Sequence, residues 1–228
     1  MRVLVVYAHH EQKSFVAAMK DAAVHTLTAQ NHDVVVSDLY AMKWKAVADA
    51  DDFGARHDPD YLVYALEQRY NHEVCALAPD IVQELDKIKQ ADFILMIFPL
   101  YWCSTPAIMK GWIDRVLVSG YCYGGKRFYD RGGLVGKKAM LAFAAGGRAH
   151  MFEKGGVHGD INDMLRPIQQ GTLAYTGLSV LPPFIAYHVP YLKDEQRRTI
   201  LKDFERCLET LEQKQPMAFP SLNDYSFN

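Results

Sequence analysis

The segment that follows the first apolar run carries side chains that could bind a phosphate. Val3 to Tyr7 is continuously apolar, and the polar stretch 9–15 leads from it into a helical pattern. A helix N-terminus adds its dipole to donors such as the Lys13 ammonium and the Ser14 hydroxyl. No G-x-G-x-x-G or Walker A sequence is present, so an ordinary dinucleotide or ATP loop is not indicated. The candidates are His9, Lys13, Ser14 and Phe15, and a capped helix behind a solvated loop is the alternative.

A second stretch places large rings at the end of another apolar run. Tyr101 and Trp102 follow residues 93–100 directly. Aromatic side chains at such a position can wall a flat heteroaromatic ligand, and backbone N–H groups can reach its edge. An aromatic cover on the sheet edge is the alternative. The candidate residues are Pro99, Leu100, Tyr101, Trp102 and Cys103.

The third stretch is a glycine pair. Gly146 and Gly147 end the apolar run 138–145, and Ala144 and Ala145 precede them directly. Adjacent glycines let a backbone approach a ligand closely and permit a positive φ. Their N–H groups could stabilise negative charge on a reduced ring. A plain turn is the alternative.

His158 lies on the glycine-rich segment 155–160, just before a helical pattern. A histidine with an ordinary pKa near 6.5 could transfer a proton in this position. A solvated loop histidine is the alternative. The other histidines show no metal-binding spacing such as H-E-x-x-H, so we predict no metal site.

Strand-like and helical patterns alternate along the chain, which is typical of an α/β fold. We therefore predict a flavodoxin-like, doubly wound, five-stranded parallel sheet with helices on both faces and the strand order 2-1-3-4-5. The predicted strands are 3–7, 33–39, 93–100, 138–145 and 178–187. Predicted helices begin at the Ser14 cap and at Pro106, and two more cover 160–175 and 194–211.

In such a sheet, ligands bind beyond the carboxyl ends of the strands. The three stretches described above follow predicted strands one, three and four. Phosphate donors, aromatic rings and a glycine pair at one edge are what a flavin requires in this fold. Each loop is a weak signal by itself, and their joint placement predicts a flavin site.

Composition excludes several classes of protein. The chain has 228 residues with a net charge of −2, so it has no global positive field that would bind nucleic acid or an anionic membrane. We therefore predict no nucleic-acid partner and no membrane insertion. The four cysteines form no C-x-x-C pair, which favours a reducing, cytoplasmic location. We expect one domain over 1–212. A tail over 213–228, with Phe219, Tyr225 and Phe227, is expected to dock on that domain or on a dimer partner.

Two further features, one segment and one set of charged residues, are interpreted from their residue types. Residues 41–80 form an irregular insertion rich in Tyr, Asp and His. The charges at Lys110, Arg115 and 137–138 are interpreted as solvent-facing.

The chain resembles the flavodoxin-like NAD(P)H:quinone reductases, the DT-diaphorase family, over nearly its whole length. It ends before the extra C-terminal domain of the longer members, like the short form. The matching pieces are Tyr7-Ala8-His9 with Ser14-Phe15, Ser37 to Met42, Phe98-Pro99-Leu100 with Trp102, Pro106-Ala107-Ile108 with Lys110-Gly111-Trp112, Gly146-Gly147, His158-Gly159-Asp160 and Pro167-Ile168-Gln169.

The resemblance implies a homodimeric reductase with a shared active site and ping-pong kinetics, in which FAD carries hydride from NAD(P)H to a quinone. It implies FAD rather than FMN because residues 41–80 match an insertion of FAD-binding members. Arg197 and Leu201 match positions near the adenosine half. Tyr123 and Phe128 match positions that the partner subunit lends to the substrate pocket, which also contains Trp102, Phe152 and His158.

Three positions depart from the family pattern. Phe152 stands where members often have a tyrosine, beside the histidine that corresponds to His158. Gly125 replaces a pocket tyrosine, and Cys103 replaces an aromatic residue after the loop tryptophan. The charge relay and the quinone selectivity of this chain therefore stay open.

Two other functions stay open as well. Some relatives are regulatory, flavin-binding subunits of potassium-efflux systems, although they are typically shorter between strands two and three. Others reduce nitro or azo compounds with the same chemistry.

Overall fold

The computed structural model describes residues 1–225 as a parallel sheet between two layers of helices. The strand order is β2-β1-β3-β4-β5, as predicted, and a short β6 also pairs with β4. The strands are β1 (Arg2–Tyr7), β2 (Asp33–Asp38), β3 (Phe93–Pro99), β4 (Lys138–Ala144), β5 (Ser179–Val180) and β6 (Phe184–Ala186). The α-helices are α1 (Phe15–Ala29), α2 (Tyr64–Glu73), α3 (Pro79–Gln90), α4 (Ala107–Val116), α5 (Ile161–Ile168) and α6 (Asp194–Glu209).

Alternate residues of the central strands enter two separate cores. Val3, Val5 and Tyr7 pack with α1 and α6, whereas Leu4 and Val6 pack with α3, α4 and α5. A strand covered on both faces must be apolar throughout, which explains the continuous run. The doubly wound, flavodoxin-like architecture is thereby confirmed.

The last predicted strand is broken in two. Leu181, Pro182 and Pro183 separate β5 from β6, and both pieces pair with β4. Proline has no N–H to donate to a ladder, so the pair of prolines interrupts the strand.

The predicted helix over 160–175 also divides. Asp160 caps α5 by accepting a hydrogen bond from the Asn162 N–H at 2.8 Å. The chain then continues as a π-helix over Gln169–Ala174. Pro167 lies inside α5, where its ring and missing N–H disturb the regular bonding pattern.

Residues 41–80 are more regular than predicted, because they contain α2 and the start of α3. The interpretation of Arg115 as a solvated charge is wrong. Its side chain is 1% exposed and pairs with Asp52 at 2.8 Å and with Asp80 at 2.7 Å. The guanidinium also lies 4.6 Å from the ring of Trp44. Arg115 thus ties α4 to the inserted segment.

The described part of the tail contacts the same chain. The Met217 N–H donates to the Val180 carbonyl at 2.8 Å, and the Ser221 hydroxyl donates to Asp130 at 2.6 Å. Leu222 is buried. Tyr225 is exposed, and Phe227 lies outside the described residues. The domain limits 1–212 and 213–228 stay a prediction.

Candidate functional site

The carboxyl ends of the central strands bring the three predicted stretches together. The Ala8 N–H donates to the Ile97 carbonyl at 3.0 Å, just after β1. The Leu100 N–H donates to the Ala144 carbonyl at 2.9 Å, which joins the loops after β3 and β4. The loops after β1, β3 and β4 therefore form one continuous edge.

The loop after β1 ends in a capped helix, and the Glu11 carboxylate accepts a hydrogen bond from the Lys13 N–H at 2.8 Å just before the cap. The Ser14 hydroxyl accepts a hydrogen bond from the Ala17 N–H at 3.1 Å. The first turn of α1, which begins at Phe15, contains no acidic residue. The Lys13 ammonium is exposed and forms no ion pair within residues 1–225. This end of the helix is suited to an anion such as a phosphate.

His9 is held as a neutral donor beside that helix end. Its Nδ1 accepts a hydrogen bond from the Glu11 N–H at 2.9 Å, so the ring proton resides on Nε2. Partial burial lowers the pKa of His9, and the His10 ring stacked 4.7 Å away lowers it further.

Tyr7 is a further candidate site residue, which the sequence pattern did not single out. Its side chain is fully buried, and its hydroxyl lies near the Ser14 side chain without a well-formed hydrogen bond to any of residues 1–225. Burial is the main cause that raises the pKa of Tyr7 to about 12, so the group stays protonated. A polar tip at the carboxyl end of an apolar strand is the signal that could have indicated it.

The loop after β3 is a tight turn that presents a tryptophan to solvent. Tyr101 and Ser104 exchange N–H···O bonds of 3.0 and 2.9 Å. Trp102 and Cys103, between them, have φ values of 50° and 57°. Two positive φ values in succession are typical of a type I′ turn, which usually contains Asn and Gly. Trp102 is 99% exposed.

Three more residues at this end of β3 are placed by the fold. Pro99 is buried at the end of β3, and Leu100 packs against the core. The Thr105 hydroxyl is buried without a hydrogen-bond partner among residues 1–225. Thr105 is not among the candidates predicted from the sequence, because a threonine before a proline carries no distinctive signal.

The two glycines after β4 serve different steric purposes. A Cβ at Gly147 would lie 2.6 Å from the Phe152 ring, whereas a Cβ at Gly146 would meet nothing within 4 Å. Neither glycine has a positive φ, so conformational freedom is not what requires them. Within the described residues, neither N–H donates to a protein acceptor. Ala144 and Ala145 behind them are buried.

His158 is exposed and lies beside Phe152, with the ring centroids 4.9 Å apart. Its N–H donates to the Met151 carbonyl at 2.9 Å, which holds the loop against the segment 149–152. Tyr187 packs on Phe152 at 5.7 Å. Phe152 is thus clamped between two polar rings and supplies no hydroxyl itself.

Other predicted site residues lie elsewhere in the chain. Tyr123 and Phe128 pack against Tyr175, with ring centroids 5.7 and 5.5 Å from it. Arg197 donates from Nε to the Val189 carbonyl at 3.4 Å, and the Val189 N–H donates to Ala145. Leu201 packs against the core between α1 and α6.

Two features are absent from the part of the chain that the structure describes. Across residues 1–225, no three His, Cys, Asp or Glu side chains come together in a way that could hold a metal ion. Within the same residues, no helix has both the length and the apolar character needed to cross a membrane.

Comparison with known proteins agrees with this geometry. Residues 1–210 match a family model described as flavodoxin-like fold. The chain is 42% identical over 217 residues to ribosyldihydronicotinamide dehydrogenase [quinone] of Rattus norvegicus, covering 95% of this chain and 94% of that protein. It is 40% identical over 229 residues to NAD(P)H dehydrogenase [quinone] 1 of Cavia porcellus, covering 99% and 83%.

Solved structures give the same result. A Klebsiella pneumoniae protein, solved as a candidate quinone reductase, superposes with a TM-score of 0.95 at 41% identity and covers 98% of this chain and 89% of that one. The chain therefore belongs to the flavodoxin-like fold family, among the quinone dehydrogenases.

Proposed function

We propose that this chain is a flavin-dependent reductase that passes hydride from NAD(P)H through FAD to a quinone. The observation that carries the proposal is the juxtaposition at one sheet edge of an acid-free helix N-terminus, an exposed tryptophan turn and a glycine pair with unused N–H groups. Relatives about 40% identical over nearly the whole chain are quinone dehydrogenases, which supports the same function.

The residues at this edge fit a flavin. The buried hydroxyls of Tyr7 and Thr105, which make no well-formed hydrogen bond within residues 1–225, could donate to a polar ligand. The open space above Gly146 allows a ring to approach the backbone closely. The phosphate side would be held by His9, Lys13, Ser14 and Phe15, and the ring system by Pro99, Leu100, Tyr101, Trp102, Cys103, Ala144, Ala145, Gly146 and Gly147.

A bound flavin supplies the two-electron, hydride-accepting chemistry that amino-acid side chains lack. The N–H groups of Gly146 and Gly147 would stabilise negative charge at the ring edge, as donors in an oxyanion hole do. His158 would hold or release the proton that accompanies hydride, without help from Phe152, which has no hydroxyl.

Two features support FAD in preference to FMN. The inserted segment 41–80 matches an insertion of FAD-binding relatives, and it is folded and anchored through Arg115. Arg197 and Leu201 lie on α6, which packs along α1 next to the predicted phosphate end. An adenosine half could extend over this surface.

We also propose a homodimer with a shared active site. Tyr123 and Phe128 match positions that a partner subunit lends to the pocket in the family, and both pack against Tyr175, so they could complete the site of a partner. The inserted segment exposes apolar side chains at Tyr61, Val63 and Leu66, which a second subunit could cover. A cytoplasmic location stays a prediction.

The test is to purify the protein, release its flavin and identify it by mass. Menadione is then added with NADH or NADPH, and initial rates are measured at several concentrations of each. We expect FAD, rapid turnover and the parallel reciprocal plots of ping-pong kinetics. FMN would contradict the role of residues 41–80 and favour a regulatory relative. A protein that binds no flavin after reconstitution would overturn the proposal.

The shared site has its own test. Tyr123→Ala and His158→Gln are purified as separate, weakly active proteins and then mixed under conditions that exchange subunits. In a shared site, half of the sites of a mixed dimer combine Tyr123 of one subunit with His158 of the other, so activity returns. Absence of any recovery, with subunit exchange verified by mass, would exclude this arrangement.

A further inference from the structure

His188 contacts the glycine pair through two separate groups. Its backbone N–H donates to the Gly147 carbonyl at 2.9 Å, and its Nδ1 lies 3.1 Å from the Gly146 carbonyl. Because a carbonyl can only accept, Nδ1 must carry the proton in this contact. The two carbonyls of the turn are thus both bound by one residue, 42 positions away in the sequence.

The backbone of His188 is unusual. Its φ and ψ are 61° and 19°, in the left-handed region that residues other than glycine rarely adopt. Such a conformation persists only where surrounding contacts hold it. Here the Tyr191 ring lies 4.8 Å from the imidazole, and the Tyr191 N–H donates to the His188 carbonyl at 3.0 Å.

The planarity of the peptide bond links His188 to the ligand side of the turn. A trans peptide places its C=O and its N–H on opposite sides, and no peptide bond in the described chain is cis. The Gly146 carbonyl and the Gly147 N–H belong to the same peptide. An imidazole fixed on that carbonyl therefore fixes the direction of the Gly147 N–H, and hydrogen bonding at the carbonyl also strengthens the donor.

We propose that His188 is a positioning residue that aims the Gly147 N–H at the edge of the bound flavin. The proposal rests on the proposed function, because it assigns His188 a role at that site. His188 acts through the peptide of the turn and does not itself touch the reacting atoms.

Three substitutions separate the side chain from the backbone. His188→Gly removes the imidazole, keeps the backbone N–H and is favoured at a positive φ. His188→Ala removes the same ring. His188→Asn supplies a side-chain amide donor and tolerates the left-handed region. His25→Ala, at an exposed histidine on α1, is the matched control.

The first readout uses the flavin-free protein. The carbonyl ¹³C resonance of Gly146 reports directly on the hydrogen bond from the imidazole. We expect it to move in His188→Gly and His188→Ala, and to stay in place in His25→Ala. An unmoved resonance in His188→Gly would show that the ring does not hold this carbonyl.

The second readout is the binding and potential of FAD. Losing one oriented donor should weaken FAD about five- to tenfold and lower its two-electron midpoint potential, and His188→Asn should recover most of both. A wild type that binds FAD while every variant keeps the same affinity and potential would overturn the role of His188 alone. A wild type that binds no flavin would overturn the proposed function and this role together.

Discussion

The guanidinium of Arg115 lies 2.8 Å from the carboxylate of Asp52, and both side chains are almost completely buried. Asp52 also accepts hydrogen bonds from the Tyr64 hydroxyl at 2.7 Å and from Lys45 at 3.0 Å. Arg115 belongs to α4 and Asp52 to the inserted segment. This ion pair therefore attaches the insertion to α4, in one of the helix layers that cover the sheet.

Breaking the Arg115–Asp52 pair should destabilise the protein strongly. Arg115→Met leaves a buried carboxylate without its main partner, which typically costs about 3–5 kcal/mol. Denaturant unfolding measures the loss. Lys110→Met is the control, because it breaks the exposed Lys110–Asp114 pair and should change the free energy of unfolding by less than about 0.5 kcal/mol. Equal effects of the two substitutions would contradict the buried role.

The contribution of Asp52 should depend on pH. Burial alone would raise the pKa of Asp52, but hydrogen bonds from Arg115, Tyr64 and Lys45 outweigh burial and hold it below its usual value. A lowered folded pKa stabilises the protein above the unfolded pKa of about 3.9, and this stabilisation is lost as the pH falls through the folded value. The difference in unfolding free energy between wild type and Asp52→Asn should thus be constant above about pH 5 and shrink in stronger acid.

The two glycines of the turn should respond differently to alanine. Gly147→Ala places a Cβ 2.6 Å from the Phe152 ring, which contacts His158 and Tyr187 on its other sides and so has little room to move. We therefore expect the free energy of unfolding of the flavin-free protein to fall by about 1–3 kcal/mol. Gly146→Ala should leave that stability within about 0.5 kcal/mol and weaken FAD on the order of tenfold. Thermal unfolding measures the stability, and flavin titration measures the affinity for FAD. A larger loss of stability in Gly146→Ala than in Gly147→Ala would be inconsistent with the structure.

The turn at 101–104 should carry backbone strain. Cys103 has a φ of 57°, so Cys103→Gly should stabilise the protein by about 0.5–1 kcal/mol. Ser104→Gly is the control at a residue whose φ is not positive, where added freedom of the unfolded chain should destabilise instead. Thermal unfolding of both variants decides; a loss of stability in Cys103→Gly would argue against strain at this turn.

His158 should matter for the rate of flavin reduction more than its exposure suggests. His158→Gln removes the proton-transferring group and should slow reduction by NAD(P)H on the order of 100-fold, measured by stopped flow. His150→Gln, at an exposed histidine of the preceding turn, is the matched control and should leave the rate unchanged. Equal rates for His158→Gln and wild type would indicate that the backbone N–H groups suffice.

Much of the fold was determined by local sequence pattern. Continuous apolar runs indicate strands buried on both faces, and Ser14 before a helical pattern indicates a cap, because each feature depends on neighbours within a few residues. The alternation of strands and helices predicts a doubly wound parallel sheet and the edge that carries the candidate site. It is compatible with more than one strand order, and the tertiary structure decides for β2-β1-β3-β4-β5. The loops after β1, β3 and β4 were identified in this way.

Only the tertiary structure decided the contacts between distant segments. From the sequence, Arg115 is interpreted as a solvated charge on a helix. In the structure, it is paired with Asp52, which lies 63 positions earlier in the chain. Gly147 looks like a flexible turn residue, yet the ring of Phe152 is what excludes a side chain there. His188 reaches Gly146 across 42 positions. Burial and hydrogen bonding of this kind arise when separate elements pack together, and no local spacing of residues records them.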